Sequence, residues 1–185
     1  MEPVRERFTQ MVVELMRSRR MGDPMLPDVD LGPLARRDLR DGLHAQVAKS
    51  RDAGARVLLG GDVPDRTGAW YPASVLADPP PGSPAWSDEL FGPVATIIGA
   101  RDEEDAIRIA NDTPYGLGAA VFTQDVARGE RLARERLNAG CCFVNDFVKS
   151  DPRLPFGGIR ESGHGRELGV PGLHEFCNTK TVVVA

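Results

Sequence analysis

The feature that most constrains the fold is a regular alternation of apolar runs and amphipathic segments that begins at Val94. The runs VATIIGA, AAVFT and CCFVN have the length and composition of strands, and helical patterns over residues 103–110 and 126–137 separate them. Asp102 directly precedes the first of these helices, where a carboxylate can cap free backbone N–H groups. Strands that alternate with short helices pair in parallel through right-handed crossovers. We therefore expect an α/β fold with helices flanking a parallel sheet.

The N-terminal half has a less regular pattern that predicts two helices and a hairpin. The first helix ends before Gly22, and its apolar residues recur at helical spacing: Val4, Phe8, Met11, Val12, Leu15 and Met16. The second ends near Gly54, and its apolar face consists of Leu39, Leu43 and Val47. An apolar run over residues 56–60 predicts a strand. The stretch GGDVPDRTGAW has hairpin-like turn chemistry, and YPASVL predicts a second short strand.

Residues 154–176, LPFGGIRESGHGRELGVPGLHEF, are unusually rich in glycine. Their spacing matches neither of the two common glycine-rich phosphate-binding motifs, so a phosphate loop is the weaker interpretation. His164 and His174 lie ten residues apart without a cysteine or carboxylate at ligand spacing, which disfavours zinc, and we expect no metal site. An irregular surface loop whose glycines take positive φ angles is the favoured alternative.

Composition excludes several classes of function. The net charge is −4, and the basic residues are scattered among acidic ones, so we expect no nucleic-acid partner. Apolar runs are only a few residues long, and the N-terminus is charged and amphipathic, which indicates neither a membrane span nor a secretory signal. Cys141 and Cys142 are adjacent and Cys177 makes the count odd, which is typical of a reducing cytoplasm. The scarcity of lysine suggests a bacterial source.

The chain closes on the apolar, β-branched run KTVVVA, which follows a long loop. Such a run has no obvious partner in its own sheet, and an unpaired strand exposes backbone donors and acceptors. We therefore expect it to pair across a subunit boundary in a homo-oligomer.

Four segments in fixed order resemble the C-terminal half of the aldehyde dehydrogenase superfamily. They are DELFGPV at 88–94, ANDTPYGLGAAVFT at 110–123, GCCFVN at 140–145 and PFGGIRESGHGRE at 155–167. Within the superfamily, VKSDPRLPFGG and GRELGVPGLHEFCNTKTV are most similar to the bacterial succinate-semialdehyde dehydrogenases. The resemblance implies that residues 1–150 are part of a catalytic domain. It also implies that residues 151–185 hold a substrate-tunnel loop and a C-terminal oligomerisation strand.

The resemblance also implies which parts of the chemistry this chain carries. In the family a cysteine thiolate attacks the aldehyde, hydride passes to NAD or NADP, and a glutamate activates the water that hydrolyses the thioester. Those residues and the cofactor domain have no counterpart among these four segments, so we expect no catalytic residue here and weak or absent cofactor binding. Cys141, Cys142 and Cys177 are expected to be structural.

A partial site remains by resemblance. Glu89 would accept hydrogen bonds from the nicotinamide ribose hydroxyls, and Phe91 would pack beside the nicotinamide. Ser150 and Phe156 would line the substrate tunnel, with the Ser150 hydroxyl able to donate to a distal carboxylate of the substrate. Arg160 stands where the family usually has lysine, which retains the charge but changes its geometry.

Two classes of function follow. The first is a half-length chain of an NAD(P)-dependent aldehyde dehydrogenase that oxidises an aldehyde such as succinate semialdehyde to the acid. Such a chain is either the product of a disrupted gene or one part of a split enzyme that a complementing N-terminal half would complete, and we expect it to be inactive alone. The alternative is a non-catalytic remnant that folds as an α/β domain and associates with itself or with a partner.

Overall fold

The computed structural model describes residues 2–185, with side chains from residue 4, and forms two compact units, Met1–Ala106 and Ile107–Ala185. The helices are α1 (Glu2–Arg17), α2 (Arg37–Asp52), α3 (Pro84–Ser87), α4 (Glu103–Asn111), α5 (Val126–Glu135) and α6 (Gly169–His174). The strands are β1 (Arg56–Leu59), β2 (Ser74–Ala77), β3 (Val94–Ile97), β4 (Gly118–Val121) and β5 (Cys141–Val144). The unit boundary lies inside α4, and the division expected at residue 150 stays a prediction.

The first unit is built on a three-stranded sheet in the order β1-β2-β3. The central strand β2 is buried along its whole length, and it pairs antiparallel with β1 and parallel with β3. The sheet of this unit is therefore mixed, with β1 as its antiparallel strand. The physical reason is the connection over residues 60–73, which contains Gly60 and Gly61 at positive φ and turns the chain straight back as the hairpin chemistry predicts.

The core of this unit lies between α2 and the sheet. Leu43 and Val47 are 3% and 0% exposed, as their helical spacing predicts, and they pack with Tyr71, Leu76 and Ala85. Leu39, predicted on the same face, is 38% exposed because it lies one turn before the core begins. Helix α1 packs on β1 and β2, but much of its predicted apolar face lies in solvent: Val4, Phe8, Met11 and Leu15 are each more than half exposed.

The second unit contains β4 and β5, which pair in parallel in the register Gly118↔Cys141 to Val121↔Val144. Helix α5 packs on both strands and crosses them closely at Gly129. A Cβ at Gly129 would lie 2.8 Å from Thr123 Cγ2 and 2.8 Å from Val144 Cγ1, which is too close for a larger residue. The predicted α/β fold is confirmed, with parallel pairing in both units.

The local signals for the helix ends are confirmed where the structure tests them. Asp102 Oδ1 accepts a hydrogen bond of 2.8 Å from the backbone N–H of Asp105, which caps α4 as predicted.

The run KTVVVA forms no strand within the described part of the chain, and Val182, Val183 and Val184 are 74–90% exposed. Its pairing with another subunit stays a prediction. None of the described helices is long and apolar enough to span a membrane.

Candidate functional site

The glycine-rich segment consists of a closed loop over residues 156–167 and a short helix that follows it. Phe156 and Glu167 exchange two backbone hydrogen bonds of 2.8 Å, which close the loop, and Arg166 Nη1 donates to the carbonyl oxygen of Gly158 at 2.9 Å. Gly163 and Gly165 have positive φ angles, as expected. The segment also forms α6, which the sequence did not predict because its glycines and proline are poor helix formers.

This loop packs directly on the start of β5. A Cβ at Gly140 would overlap the carbonyl oxygen of Gly157, so the two backbones approach as closely as glycine allows. The backbone N–H groups of Ile159 and Gly140 both donate to the carbonyl oxygen of Gly116, which ties the loop to β4 as well. The glycines therefore serve close backbone packing, as the resemblance implies.

A cavity of about 420 Å³ lies between β5 and the chain that follows it. One wall is the start of β5, with Cys141, Cys142 and Phe143, and the opposite wall is formed by Leu154, Pro155 and Phe156. Three charged residues complete its lining: Asp146, Lys149 and Asp151. The cavity thus combines apolar walls with a few charged groups, which is the usual character of a small-molecule site.

The charges around this cavity are paired. Lys149 Nζ lies 2.6 Å from Asp146 Oδ2, and a hydrogen bond from Lys149 lowers the pKa of Asp146. Arg153 binds Asp151 through two bonds, from Nε at 2.9 Å and from Nη2 at 2.6 Å, and this pairing lowers the pKa of Asp151. Both carboxylates are therefore ionised at neutral pH. Arg153 is thus paired with Asp151, two residues before it in the same segment.

The two residues predicted to line the substrate tunnel have different positions. Phe156 is half-buried and lines the cavity. Ser150 is exposed and lies outside the lining, between Lys149 and Asp151, which both contribute to it. The Ser150 hydroxyl makes no hydrogen bond to any residue that the structure describes.

The cysteines at this cavity lack the features of a nucleophile. All three cysteines of the chain are free thiols. Burial raises the pKa of the Cys142 thiol, which disfavours the reactive thiolate. Cys141 Sγ lies 4.0 Å from the carbonyl oxygens of Pro155 and Gly157, in contact with the loop backbone. These environments support the expected structural role. No three His, Cys, Asp or Glu side chains are grouped as metal ligands within the described residues.

Glu89 and Phe91 lie in the first unit, on the short connection between α3 and β3. Both side chains are exposed, Phe91 by 70%, while Leu90 between them packs against the core. A Cβ at Gly92 would overlap the side chain of Leu43, so glycine lets this connection lie directly on α2. Gln46 Nε2 donates to the carbonyl oxygen of Glu89 at 3.3 Å. The backbone is thus anchored while the carboxylate and the ring face solvent.

Sequence reasoning missed the charged lining of the cavity. Asp146, Lys149 and Asp151 fall within six consecutive residues, and this local density of charge after a strand was the available signal. Polar residues that follow the carboxyl end of a parallel strand commonly line a site. Their pairing could not be read from the sequence, because it depends on the path of the loop.

The sequence of this chain is similar to those of known dehydrogenases. The succinate semialdehyde dehydrogenase [NAD(P)+] Sad of Escherichia coli is 46% identical over 181 residues, which are 98% of this chain and 39% of that protein. The succinate-semialdehyde dehydrogenase [NADP(+)] of Mycobacterium leprae is 44% identical, over 97% of this chain and 39% of its own length. The chain therefore spans about two fifths of these relatives.

Solved structures agree with the sequence matches. The succinic semialdehyde dehydrogenase of Streptococcus pyogenes, solved with NADP+, superposes with a TM-score of 0.92 at 32% identity, over 98% of this chain and 40% of that one. The betaine aldehyde dehydrogenase of Staphylococcus aureus, solved with NAD+, superposes with a TM-score of 0.88 at 31% identity, over 94% of this chain and 35% of that one. Residues 1–182 match the model of the aldehyde dehydrogenase family, and the chain belongs to that family.

Proposed function

We propose that this chain forms the C-terminal part of a cytoplasmic, NAD(P)-dependent dehydrogenase that oxidises succinate semialdehyde to succinate. The observation that carries the proposal is the cavity beside β5, which has an aromatic wall at Phe156 and a cation, Lys149, among the carboxylates Asp146 and Asp151. An aldehyde with a distal carboxylate needs both features, because its chain is apolar and its far end is an anion. The names of the matched relatives support this choice of substrate.

In this proposal the segment 149–151 recognises the distal carboxylate. The Ser150 hydroxyl donates a hydrogen bond to it, and the Lys149 ammonium supplies positive charge while still contacting Asp146. Phe156 packs along the methylene groups of the substrate. Asp151 remains paired with Arg153. On this proposal the site favours a short chain that ends in a carboxylate.

The cofactor contacts that we assign to this chain are Glu89 and Phe91. An exposed carboxylate on an anchored backbone can accept hydrogen bonds from both ribose hydroxyls, and an exposed ring can pack on a flat heterocycle. When bound, the nicotinamide supplies the hydride acceptor for the oxidation. Two contacts from one connection give little affinity, because binding must first offset the loss of ligand freedom.

The chain alone is proposed to be inactive and to require a complementing N-terminal part. The raised pKa of Cys142 and the structural contacts of Cys141 leave no activated thiol at the cavity. The exposed apolar residues Val4, Phe8, Met11 and Leu15 on α1 are a suitable surface for that part. The second candidate, a self-associating domain without catalysis, is favoured by the exposed valines of the C-terminus.

A complementation assay tests these proposals. The chain is assayed with succinate semialdehyde and NAD+ or NADP+, alone and after co-expression with the part of the E. coli relative that it does not match. We expect no NAD(P)H production by the chain alone and activity in the complex. Turnover by the chain alone that disappears on mutation of a cysteine would contradict the proposal, as would a micromolar dissociation constant of NAD from the isolated chain.

Variants of the complemented enzyme then assign the roles. Ser150→Ala is expected to raise KM for succinate semialdehyde about tenfold, with little effect on an aldehyde that lacks the carboxylate. Glu89→Gln should weaken NAD(P) instead. Glu161→Gln, the same change of charge at an exposed residue of the second unit, is the matched control. Equal effects of Ser150→Ala on both aldehydes would refute carboxylate recognition, and a fully folded complex without any activity would favour the non-catalytic alternative.

A further inference from the structure

A second cavity, in the first unit, is lined by three arginines. It has a volume of about 300 Å³ and lies between the start of α2 and the connection from β1 to β2. Its lining residues are Arg37, Arg40, Pro64, Asp65, Arg66, Thr67 and Gly68. Three arginines and one aspartate thus line a small polar space, and none of these residues takes part in the proposed dehydrogenase site.

The arginines differ in how their charges are satisfied. Arg40 is a fixed part of the wall, because its Nη1 donates to the carbonyl oxygen of Gly68 at 3.0 Å and its Nε and Nη2 bind Asp41. Arg37 has neither an ion pair nor a side-chain hydrogen bond among the residues that the structure describes. Its neighbour Arg36 is paired with Asp38 through two bonds of 3.0 and 2.9 Å. Arg37 therefore keeps its donors for another acceptor.

Arg66 is held in place without using its hydrogen-bond donors. Its Cζ lies 3.6 Å from the centre of the Trp70 ring, and Trp70 is itself fixed by a bond of 3.0 Å from Nε1 to the carbonyl oxygen of Thr67. Stacking occupies the flat face of a guanidinium and leaves the N–H groups in its plane unoccupied. Gly68, at φ +129°, permits this arrangement, because a Cβ there would lie 2.6 Å from Trp70 Nε1.

We propose that this cavity binds a small phosphate-bearing anion through Arg37 and Arg66. Two guanidinium groups without ion-pair partners match the several acceptor oxygens of a phosphate, and Thr67 adds a hydroxyl donor to the lining. The space suits an anion of the size of pyrophosphate and offers little apolar wall for a larger organic ligand. Asp65 opposes the anion, so it sets an upper limit on affinity.

Titration of the intact chain with pyrophosphate tests the proposal. Both tryptophans of the chain, Trp70 and Trp86, lie in the first unit, and binding next to the Arg66 stack is expected to change the emission of Trp70. We expect saturation at millimolar pyrophosphate or below in low salt, and a weaker complex at high ionic strength because the charges are exposed.

Substitutions separate this site from general attraction to a basic surface. Arg37→Gln and Arg66→Gln should each weaken pyrophosphate about tenfold, whereas Asp65→Asn should strengthen it severalfold. Arg17→Gln, which makes the same change of charge at the end of α1, is the matched control. Isothermal titration provides a second readout for Arg66→Gln, where the tryptophan signal itself changes.

The outcomes are distinct. Titration with ADP identifies the source of the phosphate, since tighter binding of ADP than of pyrophosphate indicates a nucleotide and weaker binding indicates a free anion. The proposal is overturned if pyrophosphate shows no saturable binding to the unmodified chain, or if Arg17→Gln weakens it as much as Arg37→Gln does. It is equally overturned if Asp65→Asn has no effect, because the carboxylate would then not face the anion.

Discussion

Replacement of Tyr71 by phenylalanine tests the buried polar contact at the centre of the first unit. Tyr71 is 1% exposed, its hydroxyl donates to the carbonyl oxygen of Gly61 at 3.2 Å, and His44 Nδ1 lies 3.3 Å from the same hydroxyl. Both distances are long, so we expect Tyr71→Phe to lower the free energy of unfolding at pH 7 by only about 1 kcal/mol.

The same substitution has the opposite effect at high pH. Burial raises the pKa of Tyr71 from 10.0 to about 12, with a smaller contribution in the same direction from Asp62. The neutral phenol is thus favoured in the folded state. Its contribution to the free energy of unfolding is fully present below pH 10 and is lost as pH rises towards 12. The loss at about pH 12 amounts to roughly 2 kcal/mol, since one pKa unit corresponds to about 1.4 kcal/mol. Phenylalanine should therefore become the more stable residue near pH 11.

Urea unfolding followed by tryptophan emission measures this difference, because both tryptophans report on the first unit. The comparison of Tyr71→Phe with the unmodified chain at each pH cancels the titration of all other groups. Tyr115→Phe, in the second unit, is the matched control. A stability difference that stays constant between about pH 8 and pH 12 would refute the reasoning, because the phenol would then ionise as easily in the folded state as in the unfolded one.

Three further predictions concern the second unit and the C-terminus. Gly140→Ala should destabilise the second unit by at least about 2 kcal/mol in circular-dichroism unfolding, because the added Cβ would overlap the backbone of the loop. Gly42→Ala is the control: its Cβ would lie in open space on α2, and it should stabilise the chain by up to about 1 kcal/mol. Arg160→Gln should speed hydrogen exchange at the end of α4, because Arg160 Nη1 donates to the carbonyl oxygen of Asn111, the last residue of α4, and to that of Thr113 just after it; the exchange of α5 should stay unchanged. Light scattering should give at least twice the chain mass of 20.1 kDa, and deletion of residues 181–185 should lower it; an unchanged mass would show that the terminal run is not the interface.

Much of the fold could be predicted from the sequence, because its local elements follow from short-range effects. The alternation after Val94 predicted β3, α4, β4, α5 and β5 to within a few residues, and Asp102 predicted the start of α4. Periodicity works here because each element must bury one face, and its spacing is set by helix or strand geometry alone. The turn residues after β1 likewise predicted the hairpin that makes the first sheet mixed.

The candidate site was predictable only in part. Phe156 was expected to line the substrate tunnel and lies in the wall of the cavity beside β5, whereas its contact with a substrate stays a prediction. Ser150 was expected there too but lies outside the lining, since the chain between β5 and the loop is held by the pairs Lys149–Asp146 and Arg153–Asp151. Such pairs depend on the loop path, which a pattern of residue types does not specify.

The sequence by itself determined the order and type of the elements, the family of the chain and the positions where glycine is needed for a turn. Only the tertiary structure decided that much of the apolar face of α1 lies in solvent, that Gly140 meets Gly157, and that Arg66 stacks on Trp70. The physical reason is the range of the interactions. Backbone hydrogen bonds and side-chain periodicity act between near neighbours in the chain, whereas close packing joins segments whose separation in sequence contains no information about their distance in space.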